Sequence, residues 1–388
     1  MAGVYIHVPF CRQACHYCDF HFSTQTSAAD RMVDAIVQEA RLRKATTPLW
    51  QEHQARSLYL GGGTPSLLSE DDITRLIQGV SEALHLERSS LKEVTLEANP
   101  EDLVPSKLNA WKRAGIQRLS IGIQSFHDET LKWMNRAHTG ALAEKGVRLA
   151  AEVGFSSITV DLIYGVPTAR VWEEDVTCAL ALPVQHLSAY ALTVEPQTVL
   201  GNRVAKGQEQ EAPDERTVDE YHFLCSSMKS KGWTHYETSN WAAPKSGGLG
   251  DWRAVHNSAY WSGSPYLGLG PGAHGFLPPA RYANVSNNPR YLKALAIGRV
   301  EATTEVLTAS DRYNESVMTG LRTDRGICQD ELEASWGLRP EHVDAEAWAQ
   351  ALRSGDLVLT SEGRHRVPEE RWITGDRIAS TLFHVAST

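Results

Sequence analysis

The chain has 388 residues, 42% of them hydrophobic and 22% charged, the balance of a soluble globular protein long enough for about two domains. A net charge of -9 and the lack of any Lys/Arg block exclude a dedicated nucleic-acid surface. No apolar run approaches the ~20 residues that span a bilayer, so membrane contact is expected to be peripheral at most.

From the N-terminus, apolar strand segments alternate with amphipathic helical segments. Residues 4–8 read as the first strand, followed by Cys11, Cys15 and Cys18 at C-x3-C-x2-C spacing and a helical pattern over 28–44. A strand over 57–60 runs into Gly61, Gly62, Gly63, Thr64 and Pro65. A helix over 70–84 follows, with Ser69 and Asp72 marking a capped start. Strands over 93–98, 118–123, 158–164 and 187–194 then alternate with helices over 105–114, 141–153, 171–182 and 215–231. Six such units with near-continuous apolar strands imply a parallel sheet covered by helices. Right-handed crossovers allow either a doubly wound sheet or a barrel, and periodicity does not choose between them. From about Gly232 to Tyr282 the chain turns Gly-, Trp- and Tyr-rich. Beyond Pro289 it is charged and helix-prone, with helices over 311–321 and 329–333 and a hairpin from 357–360 and 365–367. The expected division is 1–232, 233–304 and 305–388, the last mainly helical and of winged-helix type.

Three thiolates can hold three irons of a [4Fe–4S] cube and leave the fourth open, whereas four cysteines would close it. Disulfides are not expected, since no signal peptide precedes the motif and the chain begins almost at once with an apolar strand. Zinc with His16 or His21 as fourth ligand would follow a rarer pattern, because no second cysteine pair exists. Cys178, Cys225 and Cys328 stand alone and are expected to pack as small apolar residues. Free cysteines without a targeting segment point to the reducing cytoplasm.

In a parallel β/α architecture ligands sit at the C-terminal ends of strands. Gly61–Gly63, Glu97, Gln124, Asp161 and Thr193 occupy such places. Glu97 and Asp161 suit amino or hydroxyl donors, the glycines expose backbone, and Arg136 suits a carboxylate. Each alone has a structural explanation: the glycines a tight turn without the G-K-[ST] of a phosphate loop, Glu97 a helix-start carboxylate. Gly268-x-Gly270-x-x-Ala273 has the form of a dinucleotide fingerprint, but it contains Pro271 and lacks a strand–turn–helix setting. Close backbone packing or adenine contact is expected there instead.

Taken together, the cysteine spacing, the Gly-Gly-Gly-Thr-Pro run and the strand-end polar residues resemble the radical S-adenosylmethionine (SAM) superfamily. The resemblance implies an incomplete (β/α)6 TIM-like barrel, a [4Fe–4S] cluster on Cys11, Cys15 and Cys18, and SAM at the open iron. In superfamily enzymes the reduced cluster passes an electron to the sulfonium, releasing a 5′-deoxyadenosyl radical. Tyr5-Ile-His-Val-Pro-Phe-Cys11, Leu119-Ser-Ile-Gly-Ile-Gln-Ser-Phe126 and Asp161-Leu-Ile-Tyr-Gly-Val-Pro167 resemble the branch containing anaerobic coproporphyrinogen III dehydrogenase. By this likeness Tyr5, Tyr17, Gly62, Gly63, Thr64 and Glu97 correspond to contacts around the cluster-bound SAM. Gln124, Arg136 and Asp161 match positions that contact a second SAM in the dehydrogenase.

Two departures lead away from that enzyme. Phe20 stands where it has a further cysteine, and four residues precede Tyr5 where it has a long arm. Both features, with Tyr236-Glu-Thr-Ser-Asn-Trp241 and Gly268-Leu-Gly-Pro-Gly-Ala-His274, resemble the HemW group of haem chaperones over essentially the whole chain. His256-Asn-Ser-Ala-Tyr260-Trp261 matches the H-N-x-x-Y-W pattern associated with haem binding in that group. It implies His256 as a haem contact, with Tyr260 and Trp261 packing against the macrocycle; the plainer reading makes them core residues. The resemblance implies a cytoplasmic carrier that delivers haem to haem-requiring membrane proteins. The alternative is an oxygen-independent coproporphyrinogen III oxidase of porphyrin biosynthesis.

Overall fold

A computed structural model describes residues 2–47, 55–248 and 250–385, and within them six parallel strands form the centre of a twelve-stranded sheet. These are β1 (Ala2–Val8), β2 (Ala55–Gly62), β3 (Glu93–Ala98), β4 (Arg118–Gln124), β5 (Ser157–Tyr164) and β6 (His186–Ala191), each paired in parallel with the next. Helices Ala29–Thr46, Glu70–Leu84, Pro105–Ala114, Gly140–Val153 and Trp172–Leu180 return the chain between them, and Asp214–Ser230 follows β6. Each lies within a few residues of its expected position. Ser69 caps its helix as expected, its hydroxyl accepting from the Asp72 N–H at 3.0 Å. The short helices Asp128–Trp133 and Val199–Ala205, unexpected from the sequence, are too brief to show a helical period.

The strands alternate more strictly than near-continuous apolar runs would. Val4, Ile6, Leu58, Leu60, Leu96 and Leu119 are fully buried and share one core with Met32, Ile36, Ile73 and Trp111 of the covering helices. The intervening Tyr59, Glu97, Ser120, Asp161 and Ser188 line a cavity on the inner side of the curved sheet. The correction has a simple cause. Successive side chains of a strand point to opposite faces, and here the helices of the β/α units cover only the outer one, while helix Val255–Trp261 packs on inner positions of β2.

The sheet stays open, because β6 does not pair with β1, and the chain after 233 adds strands to both edges. β7 (Thr234–Glu237) pairs with β8 (Asn240–Ala242), which lies antiparallel on β6. β9 (Tyr266–Leu269) lies parallel on β1 and is followed outward by β10 (His274–Leu277), β11 (Ala280–Asn284) and β12 (Ala302–Val306), all antiparallel. Buried Glu39 fastens this second edge to helix Ala29–Thr46. It accepts from the Gly270 N–H at 2.9 Å, Asn284 Nδ2 at 2.8 Å, the Tyr291 hydroxyl at 2.6 Å and Arg43 Nε at 2.6 Å. Gly270 has φ 101°, and a Cβ there would sit 2.3 Å from the His7 carbonyl oxygen. Close backbone packing is therefore what this glycine provides; it does not line the cavity.

The C-terminal region is mainly helical, as expected, with helices Ala309–Leu321, Gln329–Trp336, Pro340–Val343 and Ala345–Arg353, then a hairpin of β13 (Val358–Leu359) and β14 (His365–Arg366). Its Tyr313, Val317, Trp348 and Trp372 join the same core cluster as the barrel residues. No helix among the described residues is long and apolar enough to cross a membrane.

Candidate functional site

The C-terminal ends of the parallel strands open into a cavity of about 560 Å³. Cys11, Cys15, Tyr17, Cys18, Gly62, Gly63, Thr64, Glu97, Gln124, Arg136 and Asp161 all line it, as does Thr193. Residues spread over nearly two hundred positions meet because parallel strands deliver every β/α loop to one end.

The cysteines ride on the loop after β1. Its base is closed by the Cys11 N–H donating to the Ser23 carbonyl at 3.0 Å and the Ser23 N–H donating to Pro9 at 2.8 Å. Its tip is anchored to the segment after helix Asp128–Trp133, where Gln13 donates to the Asn135 carbonyl and Asn135 to the Ala14 carbonyl, both at 2.7 Å. His16 Nδ1 lies 2.8 Å from the Trp133 carbonyl oxygen and His21 Nε2 2.8 Å from Asn288 Oδ1. Neither imidazole lines the cavity with the thiols.

All three cysteines are free and half-buried. Thr64 Oγ1 donates to Cys11 Sγ at 3.5 Å and Arg136 Nη1 to Cys15 Sγ at 3.4 Å. Burial pushes the Cys18 thiol up to about 11 and raises Cys11 as well, so without a cation these groups keep their protons. Three thiols on one loop, with donors already aimed at two sulfurs, fit three-thiolate ligation of an iron–sulfur cluster.

Deeper in the cavity stand two carboxylates. Glu97 Oε1 accepts from the Tyr59 hydroxyl at 2.8 Å and Oε2 from the Gly62 N–H at 3.0 Å. Burial pushes Glu97 up to about 7, with a further rise from Asp161. Asp161 accepts from Ser120 Oγ at 3.1 Å and is pushed up to about 6, again by burial. Two carboxylates so placed favour a cationic or hydroxyl-rich ligand. Gly63 makes room for the cysteine loop, since a Cβ there would lie 2.6 Å from the Phe10 carbonyl oxygen. Arg136 also donates to Asn99 Oδ1 at 2.8 Å and the Gly122 carbonyl at 2.7 Å, leaving its buried Nε without a partner. Gln124 adopts φ 70°, where the β4–β5 register slips, a strained conformation typical of functional sites.

Tyr5 does not line the cavity. It stacks on Tyr59 at 6.0 Å, and its hydroxyl lies 3.1 Å from His7 Nδ1. Sequence reasoning passed over Tyr59, Arg118, Thr159, His186, Ser188 and Tyr190, which also line it. Their signal was available: they occupy the alternate, inner positions of strands β2, β4, β5 and β6.

Residues 5–177 match the Radical SAM superfamily. The chain is 35% identical over 341 residues to the protein "Heme chaperone HemW" of Bacillus subtilis (strain 168), covering 87% of each. To the Escherichia coli (strain K12) "Heme chaperone HemW" it is 32% identical over 375 residues, 93% of this chain and 95% of the relative. The chain belongs to the HemW family of radical SAM proteins. Among solved structures, E. coli coproporphyrinogen III oxidase (HemN) superposes with a TM-score of 0.82 at 21% identity, over 98% of this chain and 90% of that one. At that identity the likeness concerns the fold. Phe20, which the HemW resemblance sets apart from the dehydrogenase, lines the cavity and is 67% exposed.

The HemW-type H-N-x-x-Y-W stretch forms helix Val255–Trp261. His256 is only 2% exposed, and both ring nitrogens are engaged: Nδ1 lies 2.8 Å from Ser57 Oγ and Nε2 2.8 Å from the Tyr260 hydroxyl. Its ring stacks on Tyr59 at 4.9 Å. In this arrangement His256 and Tyr260 are packing residues, and neither lines the cysteine cavity. Trp261 is placed differently. It lines a second cavity of about 380 Å³ against the C-terminal region, together with Arg253, Arg312, Trp336 and Cys328. There the Trp261 Nε1 and the Arg312 Nε and Nη1 are buried without partners.

Proposed function

We propose that this chain is a haem chaperone that holds a [4Fe–4S] cluster on Cys11, Cys15 and Cys18, binds SAM beside it in the barrel cavity, and delivers haem to haem-requiring membrane proteins from the cytoplasm. One observation carries the reading: free cysteines, donors to their sulfurs and two buried carboxylates converge on one cavity in a chain of the HemW family. When bound, the cluster supplies low-potential electron transfer. The protein's own part is binding and orientation. Glu97 and Asp161 would accept from the ammonium and hydroxyl groups of SAM, and Arg136 would donate to its carboxylate, with Gly62 and Gly63 lining the same space. Gln124 faces the same space, while Tyr17 and Thr64 border the cysteine loop.

Haem contact is assigned to the second cavity. Trp261 and Trp336 line it, with Arg322 over the first ring and Arg312 over the second, and the Arg312 donors that lack hydrogen-bond partners suit a propionate. In this division residues 1–232 carry cluster and SAM, 233–304 bring the haem-contacting helix, and 305–388 close the haem cavity from the other side.

The test is anaerobic incubation of cluster-loaded protein with SAM, reductant and either haem or coproporphyrinogen III. Haem kept through gel filtration, with porphyrinogen unchanged, is the expected result. Conversion to protoporphyrinogen IX would replace the carrier by the oxidase, and loss of haem without conversion would refute both.

A further inference from the structure

One constellation of donor atoms lies outside both cavities. Cys225 on helix Asp214–Ser230, His235 on β7 and Glu369 at the start of the short helix Glu369–Thr374 come from three separate elements. His235 Nδ1 lies 3.1 Å from Glu369 Oε1 and 4.0 Å from Cys225 Sγ, and the three donor atoms all fall within 4.8 Å of one another. The spacing in sequence hides them, since 134 positions separate His235 from Glu369. Cys225 packs against the core, as expected of a lone cysteine, and also faces the His235 imidazole.

The imidazole is held firmly. It stacks on Trp241 at 4.1 Å and meets the Trp372 ring edge-on at 4.5 Å. Its Nε2 lies 3.3 Å from the Thr238 carbonyl oxygen, so each ring nitrogen faces an oxygen that can only accept, and the tautomer with its proton on Nε2 is the one that frees Nδ1 for a metal. In that tautomer the Nδ1 lone pair faces a carboxylate oxygen and a sulfur. The three donor atoms then share only the Cys225 thiol proton, which a metal cation can displace. An imidazole whose remote N–H is bonded to a carbonyl while the near nitrogen faces other donors is the usual support of a metal-ligating histidine.

We propose that Cys225, His235 and Glu369 bind a zinc ion. Sulfur, imidazole and carboxylate are the zinc donor set. Tetrahedral zinc with ordinary bond lengths needs about 3.3 Å between N and O and about 3.5 Å from sulfur to either. The observed 3.1 Å and 4.0 Å, with sulfur and carboxylate oxygen no more than 4.8 Å apart, require the Cys225 and Glu369 side chains to close in on the imidazole. Glu369 is 38% exposed, which gives the ion an entry route and leaves the fourth position to water. Binding exchanges the Cys225 S–H bond for a zinc–sulfur bond and releases that proton to solvent. The ion would join a barrel helix, the edge of the sheet and the C-terminal region, and so hold in place the region that walls the second cavity.

The experiment uses cluster-loaded protein, so that Cys11, Cys15 and Cys18 are occupied by iron. After dialysis against micromolar zinc, metal content and the zinc X-ray absorption spectrum are measured for the parent, Cys225→Ser and Glu369→Gln. One zinc per chain with one sulfur in its shell is expected in the parent. At least tenfold weaker binding is expected in both variants, with iron unchanged. Zinc should also raise the melting temperature of the parent and not of Glu369→Gln, a near-surface change that decides the matter if Cys225→Ser does not fold. Equal zinc in parent and Glu369→Gln, no zinc at all, or a shell with several sulfurs would overturn the assignment.

Discussion

With Glu97 as the proposed partner of the cationic ligand, SAM binding should depend on pH in a calculable way. In the free protein its carboxyl is held at about 7 and that of Asp161 at about 6. To pair with a cationic ligand each must first lose its proton. Between pH 8 and pH 6 the ionised fraction of Glu97 falls about tenfold and that of Asp161 about twofold. Affinity should therefore drop about twentyfold, or about 1.8 kcal/mol, on acidification. Anaerobic calorimetric titration of SAM into cluster-loaded protein across this range measures it directly. Glu97→Gln should bind SAM weakly and keep only the shallow slope due to Asp161. The same shift has a stability consequence of opposite use. Because the folded pKa lies above the usual 4.5, the folded state holds the extra proton between about 4.5 and 7. Stability from this group is thus full below that window and lost as pH rises through it, at a cost of about 3 kcal/mol above pH 7. Ligand-free Glu97→Gln should accordingly melt higher than the parent at pH 8 and at nearly the same temperature at pH 4.5. A parent affinity that stays flat from pH 6 to 8, or a Glu97→Gln protein that retains the full slope, refutes the reasoning.

Gly63→Ala forces a Cβ against the Phe10 backbone, which cannot yield as a flexible side chain would. It should lower stability by about 1–3 kcal/mol and reduce the iron retained after reconstitution, read by denaturant melts and iron assay. Arg136→Gln removes a donor from Cys15 Sγ and should shift the cluster's reduction potential to more negative values, measured by redox titration. Fully buried Arg170 pairs with Asp175 at 2.7 Å and Glu220 at 3.0 Å. Arg170→Leu leaves buried Asp175 without a counter-charge and Glu220 with Arg216 alone, and should cost about 3–5 kcal/mol in urea unfolding. Arg312→Gln and Trp261→Ala should weaken haem binding about tenfold, the scale of one lost charge-assisted contact, while His256→Ala leaves the haem spectrum unchanged. A spectrum altered only by His256→Ala would return haem to the imidazole.

The cysteine loop and the strand-end carboxylates were legible because each depends on local spacing. Cys11, Cys15 and Cys18 fall within eight residues, and the position of Glu97 follows from where β3 ends. His256 was legible as a motif and not as an environment. Its partners Ser57 and Tyr59 lie on β2, about two hundred positions away, and reach it only because helix Val255–Trp261 packs there. Cys225, His235 and Glu369 carried no spacing signal at all.

Hydrophobic period and turn chemistry determined the six β/α units, the capped helix at Ser69 and the three-thiol loop, since these arise from neighbours along the chain. Tertiary structure alone decided that β9 lies on β1 and β8 on β6, that the inner strand faces line the cavity with the cysteine loop, and that His256 is packed while Trp261 lines the second cavity. Pairing between distant segments sets those outcomes. It follows from how two surfaces fit once both are formed, a property no short window of sequence contains.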